Sequence, residues 1–151
     1  MEASKERKLK EYKANEADVV KKLNRIAKTN FELTTYEYEH FDASGTRDNG
    51  ELVLIEVKNR YQWFSDLYIE VYKIEQMVKH LRHTAKGGQG YLVCTNNSPK
   101  GDGKHYLFNI ETIMNCPTGM RWMKQTTAFD NNESVLKEVY IFPTNKLITT
   151  F

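Results

Sequence analysis

Residues 51–60 read ELVLIEVKNR, an apolar run from Leu52 to Ile55 that passes abruptly into Glu56, Val57 and Lys58. The β-branched and aliphatic residues, preceded by the turn residues Arg47-Asp48-Asn49-Gly50, predict a strand from Glu51 to about Asn59. Side chains alternate across a strand, so Glu56 and Lys58 share one face while Ile55 and Val57 take the other. A carboxylate and an ammonium thus stand together at the end of a core strand. Taken alone, E-x-K also fits an exposed edge strand whose charges favour solubility.

The segment before the turn, FELTTYEYEHFDASG (31–45), is rich in aromatic and β-branched residues and reads as the partner strand. If Asp48, Asn49 and Gly50 form a three-residue loop with Gly50 left-handed, Arg47 pairs with Glu51 and Asp42 lies opposite Glu56. Partners on one face have Cβ atoms about 4.5–5.5 Å apart. Two carboxylates and a lysine then converge. A two-residue Asn-Gly turn would instead pair Asp42 with Val57 and turn it to the other face, unless a bulge restored convergence. Asp48 cannot substitute, because it lies roughly 25 Å along the strand from Glu56.

Close carboxylates raise each other's pKa unless a cation intervenes. A hard divalent ion such as Mg²⁺ removes the conflict and keeps water on its open positions. Such a water is acidified for attack on a phosphodiester, with Lys58 placed to assist it or to offset phosphate charge.

Upstream, residues 5–28 read as a helix, with Leu9, Tyr12, Val19, Val20, Leu23, Ile26 and Ala27 at three- and four-residue steps. Glu16 falls in the middle of that apolar stripe, where a carboxylate is costly unless paired. An edge position with a lysine partner is its ordinary explanation. Downstream, residues 68–85 return to helical spacing and end at Lys86-Gly87-Gly88. Strands are expected at Gln89–Thr95, in HYLFNIE (105–111), at Arg121–Thr127 and at Glu138–Phe142, with NNSPKGDGK as a polar loop. The order predicts one mixed α/β domain spanning residues 1–151 around a central sheet.

Composition sets outer bounds. A chain of 151 residues with net charge +2 needs no metal or disulfide staple, and the charge alone does not mark a nucleic-acid binder. Lys5, Arg7, Lys8, Lys10 and Lys13 cluster at one end, interleaved with acids as on a solvated helix face. Cys94 and Cys116 form no C-x-x-C motif and read as reduced, buried thiols. The charged start MEASKERKLKEYK lacks an apolar signal region, and no long apolar run is present, so a soluble cytoplasmic protein without membrane contact is expected. The absence of a G-x-x-x-x-G-K-[ST] loop argues against an ATP motor.

Asp42 followed by Glu56-Val57-Lys58 at the end of an apolar strand resembles the signature of the PD-(D/E)XK nuclease superfamily. HFDASG, a hairpin, LVLIEVKNR and then a helix resemble the core of its restriction-endonuclease-like and Holliday-junction-resolvase-like members, over roughly residues 10–95. Phe41 stands where the eponymous proline would be. The resemblance implies a restriction-endonuclease-like αβββαβ core, with a central mixed sheet and additional C-terminal strands. It also implies a deoxyribonuclease that uses Mg²⁺, with Mn²⁺ as a substitute, and leaves 5′-phosphate and 3′-hydroxyl ends. Asp42, Glu56 and the Val57 carbonyl would hold the metal, Lys58 would be the catalytic lysine, and Glu16 would match the acidic residue that many members carry on the first helix. DNA is the implied partner, and small members often act as homodimers. The compact, charged, cysteine-poor chain would suit a phage or mobile-element protein working in a host cytoplasm.

Further candidates surround this group. Lys73 near the start of the second helix could touch a phosphate, and Gln89 could reach a metal-bound water. Arg60, Tyr61 and Trp63 combine charge with aromatic surface suited to phosphate or unpaired bases. His80 and His83 are spaced to share a metal but lack a third ligand, and read as surface residues. The competing functional class is a catalytically inactive nucleic-acid-binding or assembly module of the same fold. An unrelated α/β interaction domain with a coincidental E-x-K is a third.

Overall fold

In the computed structural model, which describes residues 2–34, 41–124 and 133–151, the strand read from ELVLIEVKNR lies inside a mixed sheet flanked by helices. The order is α1 (Glu2–Ala27), β1 (Glu32–Leu33), β2 (Ala43–Thr46), β3 (Leu52–Arg60), β4 (Asp66–Glu70), α2 (Val71–Arg82), β5 (Gly88–Asn96), β6 (His105–Asn109), α3 (Ile110–Met114), β7 (Thr118–Lys124), β8 (Ser134–Pro143) and β9 (Thr149–Thr150), with a 3-10 turn at Thr144–Lys146. β1, β2, β3, β5, β6 and β9 form one sheet in that order. β3 and β5 run parallel, and α2 lies between them in sequence. This is the expected mixed α/β architecture with a central mixed sheet. The anticipated strand through residues 35–40 and the end of the Arg121–Thr127 strand fall outside the described residues.

Alternation along β3 builds two cores. Val53, Ile55 and Val57 pack with Val19, Val20 and Leu23 of α1. Leu54 belongs instead to the cluster that holds Ile74, Met77 and Leu81 of α2. The helices therefore cover opposite faces. The hairpin register is the three-residue-loop form, with Ala43 opposite Ile55 and Thr46 opposite Leu52. The Arg47 N–H donates to the Glu51 carbonyl at 2.9 Å, and Gly50 takes φ of +87°. Only glycine adopts that backbone cheaply, and a Cβ there would sit 2.8 Å from Lys86 Cδ.

Three elements differ from the sequence reading. The second helix starts at Val71 rather than Tyr68, because Leu67 and Ile69 are buried on alternation as β4, paired with β8. HYLFNIE stops as a strand at Asn109, whose side chain caps the Glu111 N–H at 2.9 Å and starts α3. β7 and β8 join β4 in a separate antiparallel sheet, in the order β4-β8-β7, while β9 adds to the central sheet.

α1 is also fastened to the sheet by a buried polar chain. The Asn15 amide donates to Thr95 Oγ1 at 3.0 Å, Thr95 Oγ1 meets His105 Nδ1 at 2.7 Å, and His105 Nε2 meets Asp18 Oδ2 at 2.7 Å. His105 and Thr95 are each 1% exposed. A neutral imidazole satisfies every partner, with Nε2–H donating to Asp18 and Nδ1 accepting from the threonine. Burial pushes the His105 pKa down, against the pull of Asp18. Its folded value lies below its unfolded one, so the stability it contributes is complete above about pH 6.5 and is lost as pH falls below that. A His105→Ala protein should be less stable by about 2–4 kcal/mol at pH 7.5 in urea denaturation. The gap from the wild type should narrow toward pH 5.

Candidate active site

The site forms where β2 stops. Its pairing with β3 ends at Ala43 and Ile55, so among the described residues no strand pairs with β3 on that side from Glu56 onward. Asp42 closes part of the gap. Its N–H donates to the Ile55 carbonyl at 2.8 Å although Ile55 already faces Ala43, so two residues oppose one, as in a β-bulge. The extra residue switches faces: Phe41 packs on the α2 side and Ala43 on the α1 side. The Asp42 carbonyl accepts the Thr34 N–H at 2.8 Å, which pins the backbone from β1. Its carboxylate Oδ2 accepts the Val57 N–H at 2.7 Å.

That bond also locates the Val57 carbonyl. Within a strand, one residue's N–H and C=O point to the same edge, so this oxygen faces the opening beside Asp42. Asp42 therefore does not stand squarely opposite Glu56. It leans along the open edge, where side chains from both faces of the sheet can reach it.

Glu56 is 3% exposed. A buried carboxylate needs countercharge, and Lys58 Nζ lies 3.4 Å and Lys73 Nζ 3.9 Å from its Oε1. From the other face, α1 brings Glu16 to within hydrogen-bonding reach of Asp42. Burial, then Glu56 and Glu16, pushes Asp42 up from its ordinary 3.8 to about 8. Burial and Glu56 likewise raise Glu16. Three acids from three elements are thus crowded together at neutral pH with less positive charge than they need.

Among the described residues, no three His, Cys, Asp or Glu side chains are gathered so as to hold an ion by themselves. The donor set that fits is smaller: the Asp42 and Glu56 carboxylates, the Val57 carbonyl and water. These are hard oxygen donors of the kind Mg²⁺ takes, and two carboxylates with several waters are an ordinary complement for that ion. The raised Asp42 pKa is what such a site displays before a cation offsets its charge.

The fold has a distant likeness among solved structures. It is similar to Hjc, a Holliday junction resolvase from the archaeal hyperthermophile Archaeoglobus fulgidus, with a TM-score of 0.49 and 17% identity, over 81% of this chain and 84% of that one. No protein-family model and no curated protein matches the chain.

The remaining candidates divide. Lys73 comes to the site. Arg60 is committed to the fold, because its guanidinium donates to the Tyr68 carbonyl at 2.8 Å and lies 5.0 Å from the centre of that ring. Gln89 sits beside Val53, four residues short of Val57, and accepts from the Tyr91 hydroxyl. Its place on β5 keeps it from the opening. Trp63 stacks obliquely on Tyr106 at 4.7 Å, and the His80 ring meets Phe41 edge-on at 5.3 Å. Cys94, opposite Lys58, is fully buried, and burial pushes its thiol up to about 11, so it is inert. Among the described residues, no helix is long and apolar enough to cross a membrane.

The Asp42 shift has a measurable consequence. An acid whose pKa rises on folding binds its proton more tightly in the native state, so without a cation stability should fall as pH rises from 3.8 toward about 8. Chelator-treated protein should therefore unfold at lower urea concentration at pH 8 than at pH 5.5. Millimolar Mg²⁺ should remove most of the difference, and Asp42→Asn should remove it without metal.

Proposed function

We propose that the chain is a divalent-metal-dependent nuclease that hydrolyses phosphodiester bonds in DNA. The supporting observation is the crowding of Asp42, Glu56 and Glu16 at an open strand edge, beside a main-chain carbonyl and two lysines. A merely structural cluster would be better served by ion pairs that balance, since buried carboxylates without enough countercharge cost stability. Here the imbalance is concentrated on hard oxygen donors, which suits a hard cation. The resemblance of the D…E-x-K pattern to PD-(D/E)XK nucleases points the same way.

In this reading Asp42, Glu56 and the Val57 carbonyl hold Mg²⁺, or Mn²⁺ in its place. The bound ion would acidify a water and polarise the scissile phosphate. The protein's own groups do the rest. The Val57 N–H fixes one Asp42 oxygen and so aims the other. Glu16, raised by burial and by Glu56, adds a third acid beside Asp42 whose charge a bound cation would offset. Lys58, partly exposed at the lip of the site, offsets the negative charge that develops on the phosphoryl oxygens. Lys73, 3.9 Å from Glu56, offsets its charge and stands ready for a neighbouring phosphate.

The decisive variant is Lys58→Ala, with Lys73 left to pair Glu56. It should keep its melting behaviour and its Mg²⁺ binding yet cleave labelled DNA about 10²–10³-fold more slowly. Full activity in this variant would sink the assignment. Binding without any metal-dependent cutting by the wild type would mark an inactive nucleic-acid module instead.

A further inference from the structure

The segment that follows the acidic cluster carries an aromatic side chain that is both rigid and exposed. Tyr61 lies three residues beyond Lys58, roughly 10 Å along the chain. Its hydroxyl donates to Glu11 Oε2 at 2.9 Å and accepts the Asn59 amide at 3.2 Å. Tyr12 of α1 meets its ring in a T-shaped contact at 6.2 Å. The backbone on either side is tied down as well, since Asn59 and the Arg60 carbonyl are both bonded to Asn97. A T-shaped contact occupies one side of a ring at most, and Tyr61 remains 41% exposed. Phe64, three residues on, is 56% exposed.

A ring held by its hydroxyl and still open to solvent has lost its conformational freedom in advance, which makes it a preorganised contact surface. Its surroundings indicate the partner. Lys8 is exposed on α1 one turn before Tyr12, on the same side of the helix. Lys58 and Lys73 lie toward the acids. Cations on both sides of an aromatic platform suit a chain of phosphates that carries aromatic bases. At about 3.4 Å per stacked nucleotide, a base on Tyr61 would lie two or three nucleotides from a phosphate at Lys58. Bases within a duplex are already stacked on one another, so only an unpaired base can use the ring.

We infer that Tyr61, with exposed Phe64 three residues on, is a stacking platform for an unpaired nucleobase flanking the scissile phosphate, so that the protein prefers DNA with a single-stranded segment over fully paired duplex. This rests on reading Asp42, Glu56 and Lys58 as a phosphodiester site, but it makes a claim about binding that does not need cleavage.

The test is fluorescence anisotropy in EDTA, with a blunt duplex and the same duplex bearing a single-stranded overhang. The wild type should favour the overhang. Tyr61→Ala should cut that preference about tenfold, Tyr61→Leu should behave like Ala, and Tyr61→Phe should fall between Ala and wild type, because it keeps the ring but loses the hydroxyl that fixes it. Phe64→Ala should reduce the preference in the same direction. Equal wild-type affinity for both probes, no binding to either, or a Tyr61→Leu protein with undiminished preference would each overturn the inference. A protein that shows the Tyr61-dependent preference but never cuts DNA with metal would retain the platform and lose the nuclease reading.

Discussion

The hydrogen bond from the Val57 N–H to the Asp42 carboxylate, 2.7 Å long, is the contact on which the site depends. It exists because β2 ends early and Asp42 is an extra residue at that end. Had β2 continued in register, a main-chain carbonyl would have taken the Val57 N–H and the edge would have closed. The Val57 carbonyl would have been absorbed into the ladder, and α1 could not have reached around the sheet. An interrupted strand instead leaves a gap into which α1 sends Glu16 from one face, while β3 and α2 supply Glu56, Lys58 and Lys73 from the other. The rest of the fold holds that gap in place. β5 supports β3 on its far side, β1 pins the Asp42 backbone, and the Asn15–Thr95–His105–Asp18 chain fixes α1 on both sides of Glu16.

Much of this was legible in the chain. Asp48-Asn49-Gly50 marked the turn but left two registers open, a three-residue loop and a two-residue Asn-Gly turn, and the structure takes the first, with Gly50 left-handed. Alternation put Glu56 and Lys58 together, and Glu16 stood out as an acid within an apolar stripe. The interruption at Asp42 was not legible, since a bulge depends on backbone geometry that the letters HFDASG do not mark. Leu67 and Ile69 fit a helix stripe and a strand alternation equally well, and only pairing with a segment some seventy residues downstream chooses between them. His105 gave no local signal either. A histidine at an inward strand position becomes meaningful only once Asp18 lies opposite it, and no short-range pattern links the two. The contact of Arg60 with the Tyr68 carbonyl was hidden because residue 68 falls where the sequence spacing predicts a helix.

The electrostatics give the arrangement its direction. Glu56 is buried with two lysines at 3.4 and 3.9 Å, whereas burial and mutual repulsion raise the pKa values of Asp42 and Glu16. The lysines stand closest to Glu56, and Lys58 and Lys13 offset only part of what burial and crowding impose on Asp42 and Glu16. A cation of suitable hardness would satisfy them, and its charge would fall beside the Val57 carbonyl, where the hairpin pairing stops. The aromatic ring of Tyr61 lies just outside that opening, fixed by α1.

The most direct test of a metal site at this edge is an anomalous difference map from crystals soaked in Mn²⁺. A peak is expected bonded to carboxylate oxygens of Asp42 and Glu56 and to the Val57 carbonyl, at roughly the 2.0–2.2 Å of a small hard divalent ion, with water completing the shell. Mn²⁺ bound elsewhere while Asp42 and Glu56 remain unligated would contradict it.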